Sequence, residues 1–320
     1  MLSYFLNRVL QGAVILVLVS FLAFVISLAA PGNAMQTFID PNIPPSELRA
    51  AEARLGLDQP VYVQYGHWLG ELLQGNLGYS FRTGRPVADF VGSRLGPTFL
   101  LMGTAFAITL ALAIWLGAAT AARANTPFDY LVTGAAFAGI SVPSFFTAMA
   151  LIYLFALRLG WLPTSGLEDY AAAHVGWDRV VDRARHLVLP VTVLVLTGAA
   201  ELVRHVRGAV GEALRQDYVR TARSKGVAER AVLRRHALRN SLLPVITLLG
   251  VALPRLLAGS VVVEVVFTWP GMGRLLVESV FARDYPVAMA INLIAAVLVL
   301  LGSLLADMLY AVADPRVRYT

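Results

Sequence analysis

Long uncharged stretches alternate with polar segments along this 320-residue chain. An α-helix needs about 20 consecutive apolar residues to cross a hydrocarbon core of about 30 Å. Four uncharged stretches meet or approach this length: 12–30, 95–122, 130–157 and 286–306. The pattern predicts an all-α integral membrane protein, organised as one domain with six transmembrane helices. These predicted spans are about 9–30, 97–121, 130–157, 187–207, 242–264 and 286–311.

Some of the predicted spans carry interruptions. The fourth has only 14 uncharged residues, 187–200, so we expect its helix to continue beyond the membrane into water. Pro143 lies inside the third span, where proline removes one backbone hydrogen bond and is expected to kink the helix. The first span could instead be a signal peptide, but its apolar core exceeds the usual length of about 7–15 residues.

Polar segments separate the spans at 31–96, 158–186, 208–240 and 265–285. Within the first of them, apolar residues from Val61 to Leu73 recur at helical spacing, and Gly75 follows as a stop signal. We expect this amphipathic helix to pack on the protein's own membrane helices, in preference to forming a ligand groove.

The distribution of positive charge predicts the topology. Residues 204–240 hold ten Lys and Arg in 37 positions, whereas residues 31–96 hold five in 66. Because cytoplasmic loops carry the excess of Lys and Arg, the basic segment and both termini are predicted to be cytoplasmic. The chain is 58% hydrophobic and only 14% charged, so it is predicted to be an integral membrane protein. In a soluble protein a net charge of +6 would suggest a nucleic-acid partner; here the relevant property is the side of the bilayer on which each positive residue lies, and no nucleic-acid partner is expected.

Motifs of the familiar catalytic classes are missing from the sequence. There is no GxxxxGK[ST] phosphate loop, no GxSxG nucleophile elbow and no HExxH metal pair, and the chain has no cysteine. The GMG sequence at 271–273 is better explained by a tight turn than by a phosphate cradle. We therefore expect no catalytic residue, no metal site and no cofactor in this chain, and any energy source must lie in another subunit.

The basic segment 217–240 combines two helix-compatible runs with one glycine between them. Gly226 is expected to take a positive φ, to end the first helix and to let the second leave at an angle. Such a helix–glycine–helix elbow could bind anionic lipid, nucleic acid or a groove on another protein. Composition alone favours membrane lipid.

The order of residues in this segment is more specific than its composition. It reads YVRTARSKG at 218–226 and VLRRHALRNSLLPV at 232–245. These runs resemble the cytoplasmic coupling motif of inner-membrane permease subunits in binding-protein-dependent ABC importers, specifically the dipeptide, oligopeptide and nickel family. In the general EAA-xxx-G pattern, Arg220, Thr221 and Ala222 occupy the EAA places and Gly226 the glycine, so only the second alanine and the glycine match. The ending HALRN is the form associated with the peptide subfamily.

Similar family features follow one another along nearly the whole chain. The first loop departs from the family, because Asn33-Ala34 stands where an acidic residue and a proline are usual. The matching runs are LGLDQPVYVQY at 55–65, GNLGYSFRTGRPV at 75–87, SVPSFF at 141–146, LGWLPTSG at 159–166, FTWPGMGRLL at 267–276, ARDYPV at 282–287 and DPRVR at 314–318.

The resemblance implies the ABC type I importer permease fold and half of a translocation pathway. The other half would come from a second homologous permease, ATP and Mg would be bound by two cytoplasmic ATPase subunits, and an extracytoplasmic solute-binding protein would deliver the cargo. The cargo implied is a di- or oligopeptide moved by alternating access; nickel chelates, glutathione or another small solute are the alternative. The residues implied in coupling to the ATPase are Asp217, Tyr218, Arg220, Thr221, Ala222, Lys225, Gly226, His236, Arg239 and Asn240.

A candidate substrate path is predicted from polar residues inside the spans. Arg255 lies near the middle of the fifth span, where a charge costs about 2.5–3.5 kcal/mol on insertion scales, so it should face water or a partner. It is a candidate contact for a substrate carboxylate, or else forms a structural pair with another helix or subunit. Glu264, Ser141 and Ser144 complete the candidate path.

Overall fold

The computed structural model describes residues 2–29, 58–239, 241 and 261–313. Apart from an isolated β-bridge between Tyr79 and Pro86, the regular structure of these residues is helical, as predicted. The helices, numbered here in chain order, are α1 (Leu2–Ala29), α2 (Val61–Leu73), α3 (Val87–Ala122), α4 (Pro127–Ser141), α5 (Ser144–Leu151), α6 (Gly176–Ala213), α7 (Asp217–Ser224), α8 (Glu229–Ala231), α9 (Met272–Phe281) and α10 (Tyr285–Ala313).

Two π-helical stretches continue these elements. Ile152–Arg158 extends α5, and Val232–Leu238 extends α8. Residues 261–266 are also helical. The chain divides into two compact units, the first built from Met1–Gly96 with Arg274–Leu300 and the second from Pro97–Gly273 with Leu301–Thr320.

Within the described residues, four helices are long and apolar enough to cross a membrane. They are Leu6–Ala29, Val87–Ala122, Gly176–Ala213 and Tyr285–Leu305. They coincide with the first, second, fourth and sixth predicted spans, although α3 and α6 each begin about ten residues earlier than the predicted span. The fifth predicted span lies outside the described residues except for 261–264, so the total of six spans and the side of each terminus stay predictions.

The third predicted span is broken, where the sequence predicted only a kink. Its two halves, α4 and α5, meet at Val142-Pro143 and differ in direction by 102°. Val142 adopts an extended conformation (φ −92°, ψ 124°) because the ring of the following proline disfavours the helical one. Pro143 is the N-cap residue of α5, a position at which its missing N–H removes no helical hydrogen bond.

In the first unit, α2 packs on α1 through aromatic rings. The Tyr65 ring lies edge-on to Phe21 with 5.2 Å between centroids, and Trp68 lies 5.8 Å from Phe24. The Tyr65 hydroxyl is also 2.8 Å from the Ser20 hydroxyl of α1. The predicted docking of the amphipathic helix on a membrane helix is therefore confirmed, although its first and last apolar residues, Val61 and Leu73, are exposed.

The core of the second unit forms around the apolar middle of α6. Residues from Leu189 to Val195 pack with Leu101 and Ala105 of α3 and with Phe267 and Trp269. A second cluster lies at the C-terminal end of α6, where Val206 and Val210 contact α3 and the π-helical stretch after α8. Through this second cluster, α6 supports the basic segment.

Candidate functional site

The basic segment folds as the predicted elbow, with Gly226 at its corner. Gly226 has φ +77°, which confirms the expected left-handed conformation. Its N–H donates to the carbonyl of Arg223 at 2.9 Å, and the N–H of Val227 donates to the carbonyl of Ala222 at 3.2 Å. These two bonds define a Schellman motif, which satisfies the carbonyls left open at the end of α7 and turns the chain sharply.

A small apolar seat holds the two arms of the elbow together. Val219 and Ala222 of α7 pack against Val232 of the second arm, and all three are buried. Val227, the residue after the glycine, packs against the same cluster, which is the apolar contact that accompanies a Schellman motif. Ala222, one of the predicted coupling residues, therefore positions the elbow from inside.

The other side of α7 is exposed to solvent. This exposed face consists of Asp217, Tyr218, Arg220, Thr221 and Lys225, five of the predicted coupling residues. Across the corner, the Arg223 guanidinium donates to both carboxylate oxygens of Glu229, at 2.7 and 3.2 Å. These hydrogen bonds lower the pKa of the Glu229 carboxyl below its ordinary value.

The second arm departs from the α-helix that its sequence predicted. Because a π-helix hydrogen-bonds over five residues, Val232 and Ala237 fall on one face, and both are fully buried. His236 is half-buried and Arg239 is exposed, whereas Asn240 lies outside the described residues. Arg230, Arg234 and Arg235 are exposed, so this arm presents a basic side to solvent.

The candidate substrate path is only partly described. Arg255 lies outside the described residues. The exposed Ser141 hydroxyl donates to the Phe137 carbonyl at 2.9 Å, and Ser144 is half-buried at the start of α5. Glu264 is fully buried, and the Thr98 hydroxyl donates to its Oε1 at 3.1 Å. Packing encloses this carboxylate in the second unit.

The glycines at 271–273 lie at a tight turn, and they also provide space for that carboxylate. The Gly271 N–H donates to the Trp269 carbonyl at 2.8 Å, and α9 begins at Met272. A Cβ on Gly271 would lie 2.3 Å from the Glu264 carboxyl carbon. The Met272 N–H donates to the Thr98 hydroxyl at 2.8 Å, so one hydroxyl ties the start of α9 to the buried glutamate.

Two further charge clusters were not predicted from the sequence. Arg207 of α6 donates to both oxygens of Asp129, which stands at the start of α4 and is buried. Glu168 accepts from both Arg179 and Arg183 at 2.6–2.7 Å. These hydrogen bonds lower the pKa of the Glu168 carboxyl to about 2. Asp129 and Arg207 are 78 positions apart in the chain, so no local pattern could have paired them.

Among the described residues, no group of three or more His, Asp or Glu side chains is placed to hold a metal ion. The cationic elbow is thus the most distinctive candidate site in this part of the chain. Its buried seat fixes one face, and its exposed face is available to a partner.

Comparison with known families identifies the class of protein to which this architecture belongs. The family model described as binding-protein-dependent transport system inner membrane component matches residues 99–319. The model of the N-terminal region of such membrane components matches residues 1–102. The chain belongs to this family of inner-membrane transport components.

Individual relatives match over their full length. The chain is 43% identical over 320 residues to the oligopeptide transport system permease protein AppB of Bacillus subtilis, with 100% of both chains covered. It is 42% identical over 323 residues to a putative peptide permease protein of Brucella suis, again with 100% of both covered. It is 39% identical over 319 residues to the glutathione transport system permease protein GsiC of Escherichia coli, with 100% of each covered.

Two solved ABC transporters share the fold at low sequence identity. The methionine transporter MetNI superposes with a TM-score of 0.50 at 15% identity, over 68% of this chain and 92% of that chain. An amino acid ABC transporter with histidines superposes with a TM-score of 0.52 at 16% identity, over 70% of this chain and 94% of that chain. The helical architecture is that of an ABC importer permease.

Proposed function

We propose that this chain is one permease subunit of an ATP-driven importer and forms half of a pathway that carries di- or oligopeptides inward by alternating access. Full-length similarity to permeases named for oligopeptides and peptides supports the substrate class. The observation that carries the mechanism is the elbow at Gly226, with one face packed into the second unit and the other face exposed.

The elbow has the properties expected of a docking element for an ATPase. Its exposed face is polar and cationic, whereas the buried side chains of Val219, Ala222 and Val232 pack together and fix its shape. A helix held in this way moves as a rigid body when its partner closes, and it transmits that movement to the helix on which it is seated. ATP and Mg would be bound by two partner ATPase subunits, and this chain would contribute no catalytic group.

The remaining partners follow from the same proposal. A second homologous permease completes the pathway, and an extracytoplasmic solute-binding protein delivers cargo to the face opposite the elbow. The excess of Lys and Arg in 204–240 supports a cytoplasmic position for the elbow. The surrounding helices are in contact with membrane lipid.

Reconstitution of the complete complex tests the proposal. The chain is coexpressed with its candidate second permease and ATPases, purified and placed in vesicles with ATP on the elbow side. Uptake of a labelled tripeptide is then measured with the binding protein present. We expect uptake that requires ATP and the binding protein, and copurification of the ATPases.

The identity of the cargo has a separate test. The ligand that copurifies with the binding protein is identified by mass spectrometry, and a mixture of peptides is expected. Glutathione as the sole ligand would favour the alternative suggested by the similarity to GsiC. A lone protein bound to anionic lipid, or uptake independent of ATP, would overturn the importer assignment.

A further inference from the structure

The ion pair between the buried Asp129 and the partly exposed Arg207 has a geometry that fixes orientation. The guanidinium Nε and Nη2 of Arg207 each lie 2.6 Å from one carboxylate oxygen of Asp129. The Asn125 N–H donates to the same carboxylate at 3.0 Å, and the Thr126 hydroxyl caps the N–H of Asp129. Since a bidentate pair fixes direction as well as distance, α4 is oriented on α6 at this point.

A second close contact joins the same two helices further along. A Cβ on Gly139 of α4 would lie 2.9 Å from the Leu196 carbonyl oxygen of α6, so the two backbones nearly touch. Residues 129 and 139 are about 15 Å apart along α4, and residues 207 and 196 are about 16.5 Å apart along α6. The two helices therefore run antiparallel, with fixed contacts at both ends of this section.

The interface between these two contacts carries a groove that is open at the surface. The groove has a volume of about 160 Å³ and is lined by Thr133, Ala136, Phe137, Ile140, Ala200, Val203, Arg204 and Arg207. The ion pair adds a directional contact to this interface at the end of α4 that lies nearest the elbow.

The elbow packs against the same end of α6. Val206 and Val210, which flank Arg207, belong to the cluster that contains Ala237 of the second arm. A displacement of the elbow would act on α6 at the turn from which Arg207 extends. The hydrogen bonds between Arg207 and Asp129 connect that turn of α6 to the start of α4, which ends at Ser141, just before the break.

We propose that Asp129 and Arg207 are positioning residues that couple movement of the elbow to α4 and to the broken third span. This inference rests on the proposed function, because it assigns the pair a part in transport driven by an ATPase. The pair makes α4 and the end of α6 move as one body. Without it, the elbow would still bind the ATPase, but its movement would reach α4 incompletely.

The test uses variants in the complete reconstituted complex. Removing Arg207 alone leaves the buried Asp129 carboxylate without its charged partner and endangers folding, whereas removing both charges is often tolerated. The main variant is therefore Asp129→Asn with Arg207→Gln. We expect near-normal complex formation, thermal stability and ATP hydrolysis, with peptide uptake per ATP reduced by about tenfold. Arg85→Gln with Asp89→Asn, which neutralises an exposed pair, is the matched control and should leave uptake per ATP unchanged.

A distance measurement provides a readout that a purely structural role would not change. The chain has no cysteine, so spin labels can be placed on single cysteines at the exposed positions Leu131 of α4 and Ala228 of the elbow, neither of which is among the predicted coupling residues. With the pair intact, we expect the same label distance with and without ATP, because α4 follows the elbow. In the doubly neutral variant the distance should become dependent on ATP.

Each outcome bears on one proposal at a time. If the doubly neutral variant keeps normal uptake per ATP, or its label distance stays constant, the positioning role is wrong. If it loses stability and ATP hydrolysis together, the pair serves folding and the positioning role is likewise overturned. If the unaltered complex itself shows no ATP-driven peptide uptake, the proposed function fails, whatever the variants show.

Discussion

Replacing Gly226 with valine tests whether the shape of the elbow matters for coupling. A Cβ at this position would meet no atom within 4 Å among the described residues, so the substitution causes no overlap there. The cost comes from the backbone, because an L-residue at φ +77° is less stable than glycine by about 1–2 kcal/mol. That difference shifts the local equilibrium away from the observed corner by a factor of roughly 5–30.

Related substitutions separate conformation from chemistry. Asparagine tolerates the left-handed conformation better than other residues, so Gly226→Asn should retain most of the uptake. Gly226→Pro should have the largest effect, because proline fixes φ near −65° and removes the N–H that donates to Arg223. Gly75→Val is the matched control, since Gly75 ends α2 with φ +86° in the same hydrogen-bonding motif.

The assay compares uptake with ATP hydrolysis in reconstituted vesicles. We expect Gly226→Val and Gly226→Pro to assemble and hydrolyse ATP but to transport less cargo per ATP, while Gly75→Val keeps the normal ratio. Normal uptake by a well-expressed Gly226→Val complex would refute the reasoning. Equal losses from Gly226→Asn and Gly226→Val would also contradict it, because conformational strain predicts that order.

Three other predictions concern packing and charge. Gly271→Ala should destabilise the protein by about 1–3 kcal/mol in thermal unfolding, because the new methyl group overpacks the buried Glu264 carboxylate. The control Gly103→Ala should not destabilise it, because no described atom lies within 4 Å of the new methyl group. The ion pairs of Glu168 should stabilise its loop fully above pH 4.5, the ordinary pKa of the carboxyl, and this stabilisation should be lost as the pH falls towards the folded-state pKa of about 2. Hydrogen exchange in the loop should show this dependence on pH, and Glu168→Gln should abolish it. Tyr65→Phe should weaken the packing of α2 on α1 by about 0.5–1.5 kcal/mol, measured by proteolysis of α2, and an unchanged rate would contradict a role for its hydroxyl.

The features that sequence reasoning predicted well depend on short stretches of chain. Four of the predicted spans coincide with long apolar helices because hydrophobic length is a local property. Gly75 and Gly226 both end helices with a positive φ, since glycine adopts that conformation at little cost. The positive charge of the elbow was likewise evident from the ten Lys and Arg residues in 204–240.

Other features depended on distances that the sequence does not encode locally. The sequence placed Pro143 inside a helix, but the 102° change of direction depends on how α4 and α5 each pack. The π-helical spacing of the second arm places Val232 and Ala237 in two apolar clusters, one shared with α7 and the other with α6. The glycines near Glu264 were interpreted only as a turn, because the carboxylate that they also accommodate was not evident from the sequence.

By itself, the sequence determined the membrane class, the approximate spans and the presence of an elbow, because each follows from residues within a few helical turns of one another. Only the tertiary structure decided which face of the elbow is seated and which is exposed. It also paired Asp129 with Arg207 and enclosed Glu264 against Thr98, contacts that join residues 78 and 166 positions apart. Such contacts depend on helix packing, and a charge in the sequence does not indicate which distant charge or hydroxyl will face it.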